Sequence, residues 1–305
     1  NPEEFLNEKN IDSIEILTDQ KRRWLRNTLN AIVEFNSEDS KTEHSDWFSF
    51  RIGEKYKKKF KSTLIVNFKE KNISCKFRAK IRMTGDLWWH LDWKKGNPLT
   101  SIYVELLDGH INFITKFKLF LPKSRNGNNE IFVSSIMREM GFLSPRTFFV
   151  KSRINGVENN YIFQEDLRKE LLENFNLKEG PILEGDERFT IMLKEEDMVP
   201  NLTLARIINR NYSLKGEANS KIALAAVSNL NLIYLQHHQI NKNNISYTPE
   251  DKLHINMERY IKNSLNKNIL QTYESLMYAL DAGHNLSFDD RRFYFDPINY
   301  YYLPI

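Results

Sequence analysis

The chain has 305 residues, of which 41% are hydrophobic and 28% are charged, and its formal net charge is +4. This balance indicates a packed globular protein rather than a disordered one, and so small a net charge does not by itself argue for nucleic acid, which is not the expected partner. No window of about 18 apolar residues exists, so the sequence predicts no membrane span. A single cysteine excludes an internal disulfide and a zinc site built from several cysteines.

The start of the chain leaves its cellular compartment open. It reads "NPEEFLNEKN", without Met and without a recognisable signal peptide, as a trimmed N-terminus would. The sequence therefore does not distinguish a cytoplasmic location from the cell envelope.

Hydrophobic periodicity divides the chain into three predicted parts. Residues 1–60 are expected to form an N-terminal helical extension, because residues 13–36 read as one amphipathic helix before a Lys-rich loop. Residues 61–167 mostly alternate with a period of two and predict an antiparallel sheet lobe that carries one helix. Residues 168–305 have mostly helical spacing and predict a helical lobe with a charged loop near its end. The predicted fold class is α+β.

The predicted strand "ISCKFRAKIRM", residues 73–83, concentrates cations on one side. Side chains alternate across a strand, so every second residue shares a face. The four cations on one face are Lys76, Arg78, Lys80 and Arg82. Such a row suits phosphates or other anions. The alternative is a solvated outer face whose cations pair with acidic neighbours.

Three tryptophans follow in "TGDLWWHLDW", residues 84–93. An exposed aromatic cluster could stack on a sugar or a base, because a large ring offers a flat apolar face. The alternative is a small satellite core beneath a loop.

The stretch "KFKLF" predicts a further strand with Lys116 and Lys118 on one face, opposite Phe117 and Leu119. A lysine on an inner strand can hold a nucleotide phosphate and pair with a glutamate of the next helix, where Glu130 lies. A solvent-facing lysine row is the alternative.

A second predicted hairpin turns at Asn155-Gly156 and leads into "YIFQEDL". Glu165 ends that strand, just before a predicted helix. A carboxylate there can cap the helix N-terminus or orient a ligand, and the sequence leaves both readings open.

These segments, in their order, resemble a known family. The stretches "AKIRMTGD", "KFKLFLPKSRNGNNEIF", "GFLSPRTFFVKSRING", "YIFQEDL" and "HNLSFDDRRFYFDP" are similar to those of the bacterial spore-coat CotH-like atypical kinases. The resemblance spans residues 73–305 and implies a protein-kinase-like fold, with an antiparallel-sheet lobe followed by a mainly helical lobe. It implies ATP with Mg²⁺ or Mn²⁺ as cofactors, and transfer of the γ-phosphoryl group to a protein or glycan hydroxyl.

The resemblance also implies roles for single residues in the sheet lobe. Lys116 or Lys118 would bind the ATP phosphates. Arg82 resembles the arginine of the upstream strand, and Glu130 resembles a helix glutamate that holds the lysine. Glu165 matches the glutamate that ends the family's Tyr-x-x-x-Glu strand.

The helical lobe would supply the chemistry through "GHNLSFDDRRFYFDP", residues 283–297. A loop between a long helix and a strand can fix a catalytic acid and a metal ligand. The resemblance places Asp281 or His284 near the acceptor hydroxyl, and Asp290 and Asp296 at the metal. A further metal-binding Asp is expected where the chain ends, so either a following segment completes the site or the protein is a pseudokinase.

Three other classes stay open on the sequence. A glycan- or nucleic-acid-binding protein would use the basic strand face and the tryptophans, and its binding would depend strongly on salt. A metal-dependent hydrolase could use His284, Asp289 and Asp290. A non-catalytic scaffold would need none of these groups.

Overall fold

The computed structural model describes residues 11–38, 52–69, 73–186, 203–243, 257, 260–288 and 290–305. The chain forms two compact units. The first, called here the barrel unit, comprises Asn1–Ile136 and Pro145–Asp166. The second unit comprises Met137–Ser144 and Leu167–Ile305.

A closed β-barrel forms the centre of the barrel unit. Its strands pair in the order β1-β2-β3-β6-β7-β9-β8, and a parallel pairing of β1 with β8 closes the circle. Its other pairings are antiparallel. The barrel strands are β1 (Ile11–Thr18), β2 (Phe60–Phe68), β3 (Ile73–Met83), β6 (Ile102–Leu106), β7 (Lys116–Phe120), β8 (Thr147–Ile154) and β9 (Val157–Glu165). A separate hairpin consists of β4 (Leu91–Lys94) and β5 (Asn97–Thr100).

Alternation along the strands fills the barrel with apolar side chains. On β7, Phe117 and Leu119 are fully buried, and Phe117 stacks on Phe163 of β9 at 4.5 Å between ring centroids. Lys116 and Lys118 take the alternate positions and lie on the outer face. The prediction that these two lysines share a face opposite Phe117 and Leu119 is confirmed.

The predicted helix over residues 13–36 is wrong in its first part. Residues Ile11–Thr18 form strand β1, and helix α1 runs over Lys21–Glu38. Ile14 and Ile16 are both fully buried, which is the two-residue period of a strand. Trp24 of α1 packs edge-on against Phe60 at 5.3 Å, so the helix is joined to the barrel core.

The hairpin predicted at Asn155-Gly156 is confirmed. Strands β8 and β9 pair in continuous register up to this turn. Asn155 has a φ of 51° and Gly156 a φ of 93°. Two successive left-handed residues make the kind of tight turn that matches the twist of paired strands, which is why Asn-Gly favours it.

The second unit combines a small antiparallel sheet with helices. The sheet order is β11-β10-β12-β13. Apolar residues of two helices and of the sheet share one core, which includes Leu230, Leu270 and Phe293. The strands are β10 (Ile182–Gly185), β11 (Ala205–Ile207), β12 (Arg292–Asp296) and β13 (Tyr301–Pro304). The α-helices after α1 are α2 (Asn129–Glu139), which begins in the barrel unit, then α3 (Lys169–Asn174), α4 (Glu217–Asn243) and α5 (Ser264–Ala279).

The predicted protein-kinase-like fold is wrong. That prediction requires an open antiparallel-sheet lobe followed by a mainly helical lobe. The first unit is instead a closed seven-stranded barrel, and the second unit contains a four-stranded sheet of its own. The physical reason is the parallel contact of β1 with β8, which gives both otherwise open edges a hydrogen-bonding partner.

Over the described ranges, none of the helices is both long enough and apolar enough to cross a membrane.

Candidate functional site

The outer face of the barrel lines up four polar side chains on adjacent strands. Arg82 of β3 lies opposite Tyr103 of β6, Tyr103 opposite Lys118 of β7, and Lys118 opposite Gln164 of β9. Directly opposed residues in neighbouring antiparallel strands have Cβ atoms about 5 Å apart. The row therefore brings two predicted site residues, Arg82 and Lys118, to the two sides of Tyr103.

Two cations meet at the ring of Phe120, the next outward residue on β7. The Lys118 Nζ lies 5.8 Å from the ring centroid, and the Arg125 Cζ lies 4.1 Å from it. Phe120 is buried beneath Ile131 of α2 and Ile162 of β9. Arg125 belongs to a 3₁₀ turn, Pro122–Arg125, which follows β7 directly. Both positive charges therefore lie close to the Phe120 ring.

The pKa of His90 is lowered in part by the same two cations. His90 packs on Phe120 at 5.7 Å, and its Nδ1 lies 3.0 Å from the Ser101 Oγ. Burial, followed by the positive charge of Arg125, lowers the pKa of His90 to about 3, and Lys118 acts in the same direction. The imidazole is therefore neutral, and the positive charges of Arg125 and Lys118 both disfavour its protonation.

A tyrosine links this charge to a carboxylate. The Tyr103 hydroxyl donates to Asp166 Oδ2 at 3.1 Å, and Asp166 Oδ1 lies 3.9 Å from the Lys118 Nζ. The Arg82 guanidinium lies 4.8 Å from the centre of the Tyr103 ring. These side chains form the surface called here the Phe120 patch: Arg82, Tyr103, Lys118, Phe120, Arg125 and Asp166.

Lys116, the other predicted phosphate-binding lysine, is held by a carboxylate. Its Nζ lies 2.9 Å from Glu105, which also receives Lys59 at 2.8 Å. Burial raises the pKa of Glu105, but the hydrogen bonds from Lys59 and Lys116 outweigh it and lower that pKa to about 2. The positive charge of Lys116 is thus balanced by the Glu105 carboxylate.

The two predicted glutamates occupy different surroundings. Glu130, in the first turn of α2, accepts a 2.6 Å hydrogen bond from Gln164 Nε2, so it stands next to the outer-face row. Glu165 is one residue further along β9 and points to the other side. It is almost fully buried and forms a two-pronged pair with Arg146, at 2.9 and 3.1 Å. The structure therefore groups Glu130, and not Glu165, with Lys118.

The predicted catalytic residues lie in the second unit, just after α5. Asp281 is exposed and left-handed, with a φ of 54°. Its backbone N–H donates to the Tyr278 carbonyl, and the Ala282 N–H donates to the Met277 carbonyl. This pair of bonds is the Schellman motif, so Asp281 terminates the helix. His284 is exposed in the 3₁₀ turn Gly283–Leu286.

The two predicted metal ligands, Asp290 and Asp296, have different surroundings. Both oxygens of Asp296 accept hydrogen bonds from the turn that follows, at 2.8 Å from the Ile298 N–H and 2.8 Å from Asn299 Nδ2. Asp290 is half-buried before β12. Asp289, named for a hydrolase site, lies outside the described residues. No group of three or more His, Cys, Asp and Glu side chains in the described part of the chain could hold a metal ion by itself.

Sequence reasoning missed four members of the Phe120 patch, namely Tyr103, Phe120, Arg125 and Asp166. Tyr103 and Asp166 were not singled out, because their roles depend on the registers of β3, β6 and β7. Arg125 stands in the quoted stretch "KFKLFLPKSRNGNNEIF", seven residues after Lys118. A signal was therefore present there, since an arginine shortly after a basic strand can fold back onto it.

Comparison with known proteins leaves the site to be interpreted from its own chemistry. No protein-family model matches the chain, and no curated protein matches it either.

Proposed function

We propose that the Phe120 patch binds the phosphates of ATP together with Mg²⁺ or Mn²⁺, and that the chain is an ATP-dependent phosphotransferase, an atypical kinase. The observation that carries the proposal is the meeting of Lys118 and Arg125 at one buried ring. In the reaction, the bond between the γ-phosphorus of ATP and its bridging oxygen breaks, so that ADP leaves, and the γ-phosphorus bonds to the oxygen of a protein or glycan hydroxyl, which loses its proton.

The geometry of the patch supports a phosphate ligand. Charge-assisted N–H···O bonds are about 2.7–2.9 Å long. A phosphate oxygen could form such bonds with the Lys118 ammonium, which it would share with Asp166, whose Oδ1 lies 3.9 Å from the Lys118 Nζ. Lys118 is a point donor and Arg125 a planar fork, and the two together suit a chain of phosphates.

Carboxylates next to the patch support a metal that is held with the nucleotide. Mg²⁺ usually takes one or two protein carboxylates, and substrate phosphates and water fill the other positions. Asp166, within the patch, and Glu130, beside the row of outer-face side chains, are two such carboxylates. When bound, the ion would spread the charge of the transferring group. A site of this kind does not require three protein ligands.

The residues proposed for the transfer step come from the family resemblance and not from the geometry of the Phe120 patch. The resemblance gives Asp281 or His284 the place near the acceptor hydroxyl. Both side chains are exposed in the second unit, so both are open to a substrate.

Nucleotide binding is tested with single substitutions in the patch. Lys118→Ala and Arg125→Ala should each weaken the affinity for ATP–Mg²⁺ about tenfold or more, since a hydrogen bond to a charged group contributes about 1.5–3 kcal/mol. Calorimetry with ATP, with and without Mg²⁺ or Mn²⁺, measures the change.

The matched control is Lys76→Ala. Lys76 lies on the same side of β3 as Arg82, six residues and about 20 Å along the strand. The control should bind ATP as the wild type does. Absence of ATP binding by the wild type, or equal losses in all three variants, would overturn the proposal.

A second candidate is nucleotide binding without transfer, and Asp296 favours it. Its carboxylate is buried and already accepts hydrogen bonds from the following turn, so it serves as a turn cap.

Mass spectrometry of the chain and of added protein acceptors, after incubation with ATP–Mg²⁺, distinguishes the transferase from the nucleotide-binding protein. Phosphorylated product that Asp281→Asn or His284→Ala abolishes supports the transferase. Tight ATP binding with no transfer supports the binding protein.

A further inference from the structure

An exposed tryptophan lies beside the Phe120 patch. Trp88 is 49% exposed and begins the 3₁₀ turn Trp88–His90. Most of a tryptophan's surface is apolar, and a half-exposed indole can offer a flat face to another ring. A flat ring left open next to a phosphate site has the form of a stacking surface.

The turn that carries Trp88 is firmly held. His90, at its end, is buried against Phe120. Gly85 has a φ of 90°, and a Cβ at that position would lie 2.0 Å from the His90 ring. The indole of Trp88 also meets the edge of Trp89 at 6.0 Å, with 67° between the rings. The exposed ring is therefore pre-positioned, and little ordering is needed when a ligand stacks on it.

The same turn adjoins the cations of the patch. It packs against the 3₁₀ turn Pro122–Arg125, whose last residue reaches Phe120. Lys123 of that turn has its Nζ 5.7 Å from the centre of the Trp88 ring and 3.3 Å from Asp92. Arg125 and Trp88 thus belong to neighbouring turns, and Lys123, from the same turn as Arg125, lies over the Trp88 ring.

We propose that Trp88 stacks on the nucleobase of the nucleotide whose phosphates occupy the Phe120 patch. The inference rests on the proposed function, because it takes the phosphate position from it. A nucleoside triphosphate carries a flat aromatic group at one end of a flexible chain and its charge at the other. An indole beside a cluster of cations is complementary to both ends. Stacking is tolerant of base identity, so the surface selects a nucleotide over inorganic phosphate rather than one base over another.

Trp93 provides a matched control. It is also 49% exposed and lies five residues away, on β4 of the hairpin. It differs from Trp88 in belonging to the hairpin rather than to the turn that packs against Pro122–Arg125. A general effect of removing an exposed indole would appear equally in both variants.

The experiment compares ATP–Mg²⁺ with inorganic triphosphate–Mg²⁺ as ligands of the full chain. Trp88→Ala should weaken ATP binding about five- to a hundredfold, as expected for one base–aromatic stack, and leave triphosphate affinity unchanged. Trp88→Phe, which keeps a ring, should recover most of the ATP affinity. Trp93→Ala should behave as the wild type, and Lys118→Ala should weaken both ligands.

Fluorescence gives an independent readout. ATP, but not triphosphate, should quench the tryptophan emission of the wild type, and this quenching should disappear in Trp88→Phe and persist in Trp93→Phe. Unchanged ATP affinity in Trp88→Ala, equal losses of both ligands, or a loss in Trp93→Ala instead would overturn the stacking proposal. If Lys118→Ala also leaves both affinities unchanged, the proposed function fails as well, so the two failures are distinguishable.

Discussion

The Phe120 patch of the barrel unit and the segment from Asp281 to Asp296 of the second unit are both rich in charge, yet they use it differently. In the patch, Lys118 and Arg125 extend from a sheet face and its following turn toward an aromatic ring. In the segment, Asp296 accepts hydrogen bonds from the backbone that follows it. Arg291 is buried and pairs with Glu274 of α5.

This difference shows that a high density of charged residues in a sequence does not by itself identify a ligand site. What matters is where the fold directs the charged side chains. Asp296 and Arg291 contact a turn and an ion-pair partner of their own unit, whereas Lys118 and Arg125 both lie over one aromatic ring. Three experiments test this contrast.

The largest effect is expected at the buried ion pair of the second unit. Arg291→Ala would leave the buried Glu274 carboxylate without the positive charge of Arg291. We therefore expect the free energy of unfolding to fall by about 3–5 kcal/mol. Chemical denaturation measures the loss. Arg291→Met combined with Glu274→Leu removes both charges and should recover most of it. A loss below about 1 kcal/mol in Arg291→Ala would mean that this pair behaves as a surface pair.

An intermediate effect is expected from pH at His90. Its folded pKa of about 3 lies below the unfolded value of about 6.5, so the unfolded state binds more protons between these two pH values. The free energy of unfolding should therefore fall as the pH decreases, by about 2 kcal/mol from pH 7 to pH 5. Denaturant titrations at the two pH values measure this loss.

His90→Gln is the control for the pH effect and should reduce the loss. The stability that Glu105 contributes is retained in this range, because its depressed pKa makes that contribution decline only below about pH 4.5. An unchanged loss in His90→Gln would assign the pH dependence to other groups.

The smallest effect is expected at Asp281. A left-handed residue favours glycine, so Asp281→Gly should leave the protein at least as stable as the wild type, and Asp281→Ala should lower its stability by about 1 kcal/mol. Thermal unfolding of both variants measures the difference. If Asp281 also acts on a substrate, Asp281→Gly will be stable yet unable to transfer phosphate, whereas a purely structural Asp281 leaves transfer intact.

Local features of the fold were readable from the sequence. The Asn155-Gly156 turn follows from backbone preferences of two residues, and the outward lysines of β7 follow from strict alternation. Strand β1 was missed because "SIEIL" fits both a strand and an amphipathic helix over so short a run, and only the burial of Ile14 and Ile16 decides between them.

The candidate site was readable only in part. Arg82, Lys118 and Glu130 were singled out from their strands and helix, and they lie beside one another on the outer face or next to it. Their neighbours Tyr103, Arg125 and Asp166 were not, because each reaches the patch through a strand register or a turn that no short stretch encodes. The turn-capping role of Asp296 was likewise visible only from its hydrogen bonds.

Alternation and the conformational preferences of neighbouring residues were enough to predict the faces of the strands, the tight turn between β8 and β9 and the cations on β3 and β7. They were not enough to predict that β1 lies parallel to β8, that the sheet closes into a barrel, and that Arg125 and Lys118 meet at Phe120. The physical reason is that pairing between distant segments is selected by the burial of the whole core, and no single segment carries that information.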